Sequence, residues 1–142
     1  MTEKALGVRL NIKKNLKRLR EANGLKMRDL AIVLGIKENT YRVWEDRSKE
    51  TVPKADGLVE IAKIFNVSLD FLVNNVEDNI RKEGLLLSSG SNDSFYGDKY
   101  LNELSAEEKR SIMKMRRMVN SDRQRVMELI DEILDNNSVK LD

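Results

Sequence analysis

The stretch Gly24 to Glu45, GLKMRDLAIVLGIKENTYRVWE, constrains the fold more than any other part of the chain. It holds two short helical patterns with one glycine between them. Leu30, Ala31 and Leu34 share a face of the first pattern. Tyr41 and Trp44, three apart, share a face of the second, with Ile36 just before it. Gly35 suits the turn between them, because a residue without Cβ takes positive φ at little cost.

Two short helices joined by so tight a turn are a helix-turn-helix, a unit whose second helix can enter the DNA major groove. The outward positions of the second helix are Lys37, Glu38, Asn39, Arg42 and Val43. Helical spacing sets Glu38 one turn from Arg42, and Asn39 one turn from Val43, away from Tyr41 and Trp44. Asn can read adenine through two bonds, Arg can read guanine, and Glu can accept from the cytosine amino group. Taken alone, the same face also fits an ordinary solvated helix of mixed charge.

Charge distribution separates these readings. The chain of 142 residues carries 26 basic and 24 acidic side chains, a net +2. Residues 1–72 hold 15 basic and 10 acidic groups, and residues 73–142 hold 11 and 14. The basic half is therefore the half with the helix-turn-helix pattern, as a phosphate-facing surface requires. With no cysteine and no histidine, disulfides, Cys/His zinc sites and thiol or imidazole catalysis are ruled out. No carboxylate cluster has metal-ligand spacing, so no metal and no cofactor is expected. No apolar run reaches the roughly 18–20 residues of a membrane span, and no signal-peptide core is visible. A cytoplasmic, non-enzymatic protein is the expectation.

In chain order, Met1 to Gly7 reads as a short arm or a frayed first turn. Val8, Ile12, Leu16 and Leu19 then predict a helix over 9–22. Its other face carries Lys13, Lys14, Lys17 and Arg18, which read as solvated or phosphate-attracting. Gly24 suits the left-handed position after that helix. A second helix is expected over 27–34, and the third from Lys37 or Glu38. Pro53 suits the first turn of a fourth helix, whose Leu58, Ile61, Ala62 and Phe65 should meet Leu16, Leu19, Leu30 and Leu34. Ser68 caps a fifth short helix over 69–73.

The segments LKRLREANGL (16–25), DLAIVLGI (29–36), NTYRVWE (39–45) and VPKADGLVEIAKIFNVSLDFL (52–72) resemble the phage repressor and Cro type of helix-turn-helix regulator, also called the xenobiotic response element family. The resemblance covers about half of the chain. It implies a five-helix DNA-binding domain. It implies that Lys37, Glu38, Asn39 and Arg42 reach base edges, with Val43 against a thymine methyl. Thr40 is expected at the DNA backbone or at the helix packing surface, and Lys26, Arg28, Arg47, Ser48, Lys49 and Thr51 are candidates for backbone contact on their own charge or hydroxyl. The resemblance also implies a structural pair between Arg20 and Glu45 that fixes the third helix. The chain departs from the family in having Lys26–Met27 where Ser-Gln is usual, Lys37 where a small cap is usual, and a longer loop after Glu45.

Leu85 to Leu87 is an apolar patch without an evident partner, and Ser88 to Asp98 reads as a flexible linker in which Phe95 and Tyr96 could dock on a neighbouring surface. Ser105 to Glu108 and Ser121 to Gln124 both fit a capping box and predict helices over 106–119 and 122–135. Ile112, Met115 and Val119 would line one, and Val126, Leu129, Ile130, Ile133 and Leu134 the other. The two form an αα-hairpin, too small to bury a core alone, and expected to pair with its copy in a second chain rather than fold back. The whole reading is an all-α chain: a helix-turn-helix domain over 1–75, a linker over 76–100, and a dimerising helical hairpin over 101–142. The expected partners are double-stranded DNA and a second copy, with no membrane. The expected function is a sequence-specific transcriptional regulator, a dimeric repressor of phage or mobile-element type. The other reading is an antitoxin or interaction protein whose C-terminal helices bind a toxin or antirepressor. A self-cleaving Ser–Lys peptidase domain, carried by some repressors of this type, would need a strand-rich tail that is absent here.

Overall fold

A computed structural model of the chain describes residues 2–75, 77–79, 81 and 101–137. Its helices are α1 (Glu3–Ala22), α2 (Met27–Leu34), α3 (Glu38–Glu45), α4 (Ala55–Phe65), α5 (Leu69–Val73), α6 (Ala106–Arg117) and α7 (Asn120–Asn137), with a 3₁₀ turn at Leu101–Glu103. Among the described residues there is no strand. The linker expected over 76–100, with Leu85 to Leu87, Phe95 and Tyr96, lies outside the described residues except for 77–79 and 81.

Of the two readings of the N-terminus the helical one holds, residues 3–7 forming the start of α1 rather than an arm. Thr2 Oγ1 accepts from Ala5 N at 3.2 Å, Glu3 sits at the positive end of the helix dipole, and α1 starts six residues earlier than periodicity predicts. Gly24 and Gly35 take φ of 63° and 69°, closing the corners after α1 and α2 as expected. Ile12, Leu16 and Leu19 of α1 pack with Leu30, Ala31 and Val33 of α2, Tyr41 of α3, and Ile61, Ile64 and Phe65 of α4. Burying each such side chain contributes about 1.5–3 kcal/mol. Val33 takes the core place expected of Leu34, which is half-buried. Pro53 lies before the Lys54 N-cap of α4 rather than in its first turn. Ser68 caps α5 as predicted, its hydroxyl accepting from Phe71 N at 3.0 Å.

Polar side chains of α1 close the ends of other helices. Asn15 Nδ2 donates to the carbonyls of Phe71, Leu72 and Asn74 at 2.8–3.1 Å, and Asn79 Nδ2 bonds to Asn15 Oδ1 at 3.1 Å. The last carbonyls of a helix lack intrahelical donors, so these two buried amides supply what α5 cannot.

The first helix of the C-terminal pair corrects the sequence reading. It folds back on the N-terminal domain, against α2 and α4. Met113 is fully buried in the common core and Lys109 beside it is also buried, whereas Ile112 and Met115 are half-buried and Val119 is exposed. The reason is electrostatic as well as apolar. Lys109 Nζ donates to Asn23 O at 3.0 Å and Gly24 O at 3.3 Å, beyond the end of α1. Arg116 donates to Ile64 O at 2.8 Å, near the end of α4, and Arg117 to Val33 O at 2.7 Å, near the end of α2. Three helix C-termini, each with partial negative charge, thus receive cations from one helix. A Cβ on Gly24 would lie 2.9 Å from Lys109 Nζ, so this corner is closed to side chains on two grounds.

Arg110 adds an ion pair to Asp29, at 2.7 Å and largely buried. Burial pushes the Asp29 carboxyl up, but the bond from the Lys26 N–H and the Arg110 guanidinium outweigh it and hold it below its ordinary 3.8. A carboxylate depressed in the folded state stabilises it above the unfolded value, and this is lost as pH falls through the depressed value. The urea midpoints of the natural chain and Asp29→Asn should differ constantly down to about pH 5 and converge below about pH 4. A gap that persists at low pH would show that Asp29 acts through packing alone.

The second C-terminal helix behaves differently. Ser105 and Glu108 form the predicted capping box on α6, but α7 begins at Asn120, so Ser121 lies inside its first turn and caps nothing. No residue of α7 is buried, and it does not run packed along α6. The expected hairpin is therefore split: one helix belongs to the domain and one stands clear of it.

Candidate nucleic-acid interface

The outer face of α3 is open. Lys37, Glu38, Asn39, Thr40 and Arg42 are exposed and Val43 is half-buried. Arg42 stands at the centre of the polar set, its guanidinium donating to Asn39 Oδ1 at 2.9 Å and to Glu38 Oε1 at 3.0 Å. Both members of the Glu38–Arg42 pair are about half exposed. An exposed pair one turn apart contributes only a few tenths of a kcal/mol, so it orients Arg42 without locking it in place.

The inner face holds α3 rigidly. Tyr41 is fully buried with its ring edge-on to Trp44, centroids 5.8 Å apart, and Trp44 is half-buried against the core. Burial keeps the Tyr41 phenol well above its ordinary value, hence neutral. Arg20 Nε donates to Glu45 Oε2 at 2.8 Å and its NH2 to Oε1 at 3.0 Å, while NH1 reaches Leu25 O at 3.1 Å. This two-pronged contact ties the end of α3 to α1 and to the corner before α2.

Lys13 holds the same end of α3 and was misread from sequence. It is buried, not solvated. Its ammonium donates to Val43 O at 2.9 Å, Trp44 O at 3.4 Å and Thr51 O at 2.7 Å. Burial lowers its pKa, and Asp46 opposes that shift. The carbonyls of the last turn of α3 and of the following loop thus converge on one cation from α1.

The residues expected at the DNA backbone are all exposed: Lys26 and Arg28 at the start of α2, Thr40 on α3, and Arg47, Ser48 and Lys49 after it. Ser48 is committed locally, since its hydroxyl and its N–H both donate to Asp46 Oδ1, at 2.6 and 2.9 Å. Those bonds hold Asp46 below the usual carboxylate range and shape the loop. Lys26, Lys37 and Lys54 are the N-cap residues of α2, α3 and α4, and none makes a side-chain cap. At α2 and α4 a carboxylate of the first turn takes a backbone N–H instead, Asp29 from Lys26 and Asp56 from Gly57, each at 2.9 Å. Among the described residues no cluster of acidic side chains could hold a metal, and no helix is long and apolar enough to cross a membrane.

Residues 16–72, from the middle of α1 through α5, match the Helix-turn-helix family. Over that stretch the chain is similar to that family, in its Cro and C1 type. The chain is also 36% identical over 63 residues to the uncharacterized HTH-type transcriptional regulator YobD of Bacillus subtilis (strain 168). That alignment takes in 44% of this chain and 54% of the relative, so the chain spans about half the length of the curated protein it matches. No solved structure matches it significantly.

Proposed function

We propose that the protein is a sequence-specific DNA-binding transcriptional regulator, a repressor of phage or mobile-element type that acts as a dimer by occluding a promoter. The observation that carries this reading is the exposed Glu38–Asn39–Arg42 face on a helix fixed from behind by Arg20 and Lys13. A reading helix needs both properties, since its side chains must reach the bases while its axis stays at one angle. The helix-turn-helix match supports the DNA-binding part and points to a regulator rather than an enzyme. Lys37, Glu38, Asn39, Arg42 and Val43 select the site. Lys26, Arg28, Thr40, Arg47 and Lys49 supply affinity through phosphates, which makes binding strongly salt-dependent. Two-fold sites read by such helices are spaced by about one turn of DNA.

Selection of bound duplexes from a random pool tests this. A common half-site recovered in two inverted copies is the expected result. Recovery of no common sequence would contradict site-specific reading.

A further inference from the structure

Two consecutive residues of α6 grip the chain on either side of Lys26. Lys109 Nζ donates to the Asn23 and Gly24 carbonyls, at 3.0 and 3.3 Å, before α2 begins. Arg110 Nη1 donates to Asp29 Oδ1 at 2.7 Å, within the first turn of α2. The other oxygen of Asp29, Oδ2, accepts the Lys26 N–H at 2.9 Å. Lys26 is the N-cap of α2 and its own side chain makes no cap, so the start of α2 is closed by a carboxylate that α6 holds. Asn102, just before α6, adds a bond from its Nδ2 to Ala22 O at 3.0 Å. The segment held in this way carries two exposed cations, Lys26 and Arg28. Residues 102–110 lie outside the matched stretch of 16–72.

We infer that Arg110 is a positioning residue for DNA binding: acting through Asp29, it holds the start of α2 so that Lys26 and Arg28 are presented together to the phosphates. This rests on the reading above, in which those two side chains meet the DNA backbone. Ordering a segment at the moment of binding costs affinity, and a segment already held in its bound form avoids that cost. Arg110 is suited to this brace rather than to the duplex itself. Its side chain is 22% exposed and that of Asp29 7%, so its charge is engaged by the carboxylate. The effect passes from Arg110 to Asp29 to the Lys26 N–H, and each link is a charge-assisted hydrogen bond. The DNA-binding unit accordingly extends beyond α5 to α6.

Arg110→Met keeps the stem of the side chain and removes the guanidinium. Binding of the full-length protein to the selected duplex is measured over a series of salt concentrations, with Arg110→Met alone and combined with Asp29→Ala. The temperature is one at which urea unfolding shows each variant folded. Should Asp29→Ala be unfolded there, Asp29→Asn, which keeps the shape and loses the charge, takes its place. Arg110→Met should weaken binding about 3- to 10-fold and flatten the salt dependence by about 0.9 in slope, one phosphate contact. In the Asp29→Ala background the same change should have almost no effect, since the link to Lys26 is already cut. Arg116→Ala loosens α6 at the end of α4 instead; it should lower the urea midpoint and leave affinity unchanged. Undiminished affinity in Arg110→Met overturns the inference. So does an equal loss in both backgrounds, which would make Arg110 a phosphate contact itself. So does a matching loss in Arg116→Ala, which would reduce the effect to general stability. Arg42→Ala on the same duplex tells the two levels apart: a loss there without one in Arg110→Met refutes only the brace, and a loss in neither refutes the reading by α3 as well.

Discussion

Glu45→Ala is expected to lower the folding free energy by about 3–5 kcal/mol, because removing one member of a buried ion pair leaves the other charge without compensation. The Glu45 side chain is 2% exposed and Arg20 14%, so little water can replace the lost carboxylate. The effect reaches beyond stability. Glu45 ends α3, and Arg20 also binds Leu25 O, so the pair sets α3 against both α1 and the start of α2. Urea unfolding should show a lower midpoint with an unchanged slope. A double-mutant cycle with Arg20→Ala should show strong coupling between the two sites, since both changes remove the same interaction. A loss below about 1 kcal/mol, in the range of exposed surface pairs, would mean that the contact is incidental to the domain.

Lys13→Met keeps the length and the apolar stem of the side chain and removes only the ammonium. It should cost about 2–3 kcal/mol, the range for a buried hydrogen-bonded charge whose acceptors are left unpaired. The acceptors are specific. Val43 O and Trp44 O belong to the last turn of α3, and Thr51 O closes the following loop. Amide hydrogen exchange should therefore quicken first in the loop of residues 46–52, ahead of α4 and α5. An unchanged midpoint would show that water serves those carbonyls as well as Lys13 does.

What periodicity and turn chemistry dictate was readable from the chain. Gly35 marks the turn because only positive φ closes it, Ser68 caps α5, and Leu16, Leu19, Leu30 and Ile61 fill the core from one face each. The Arg20–Glu45 pair was readable only through family resemblance, since the two residues are 25 apart. Lys13, Asn15, Lys109 and Arg117 were not readable. Their partners are main-chain carbonyls 30 to 86 residues away, and a carbonyl leaves no mark in a sequence. Such lysines and arginines look like solvated surface. For the same reason α6 was assigned by its apolar positions to a partner chain, when its basic residues bind it to its own domain. Two signals were nonetheless present. The inward face of α6 spaces Lys109, Met113 and Arg116 at helical intervals, and α2 and α4 end without a basic residue beyond Lys63 to meet their own carbonyls.

The role of α3 is tested most directly by Arg42→Ala, with binding measured at one salt concentration on the selected duplex and on a scrambled duplex of equal length. Arg42 is exposed and, among the described residues, bonded only to Glu38 and Asn39, so the change should leave the fold intact. Affinity for the selected duplex should fall about 5- to 150-fold, equivalent to 1–3 kcal/mol, while the scrambled duplex loses far less. An equal loss on both duplexes would make Arg42 a phosphate contact, and no loss on either would remove α3 from the DNA interface altogether.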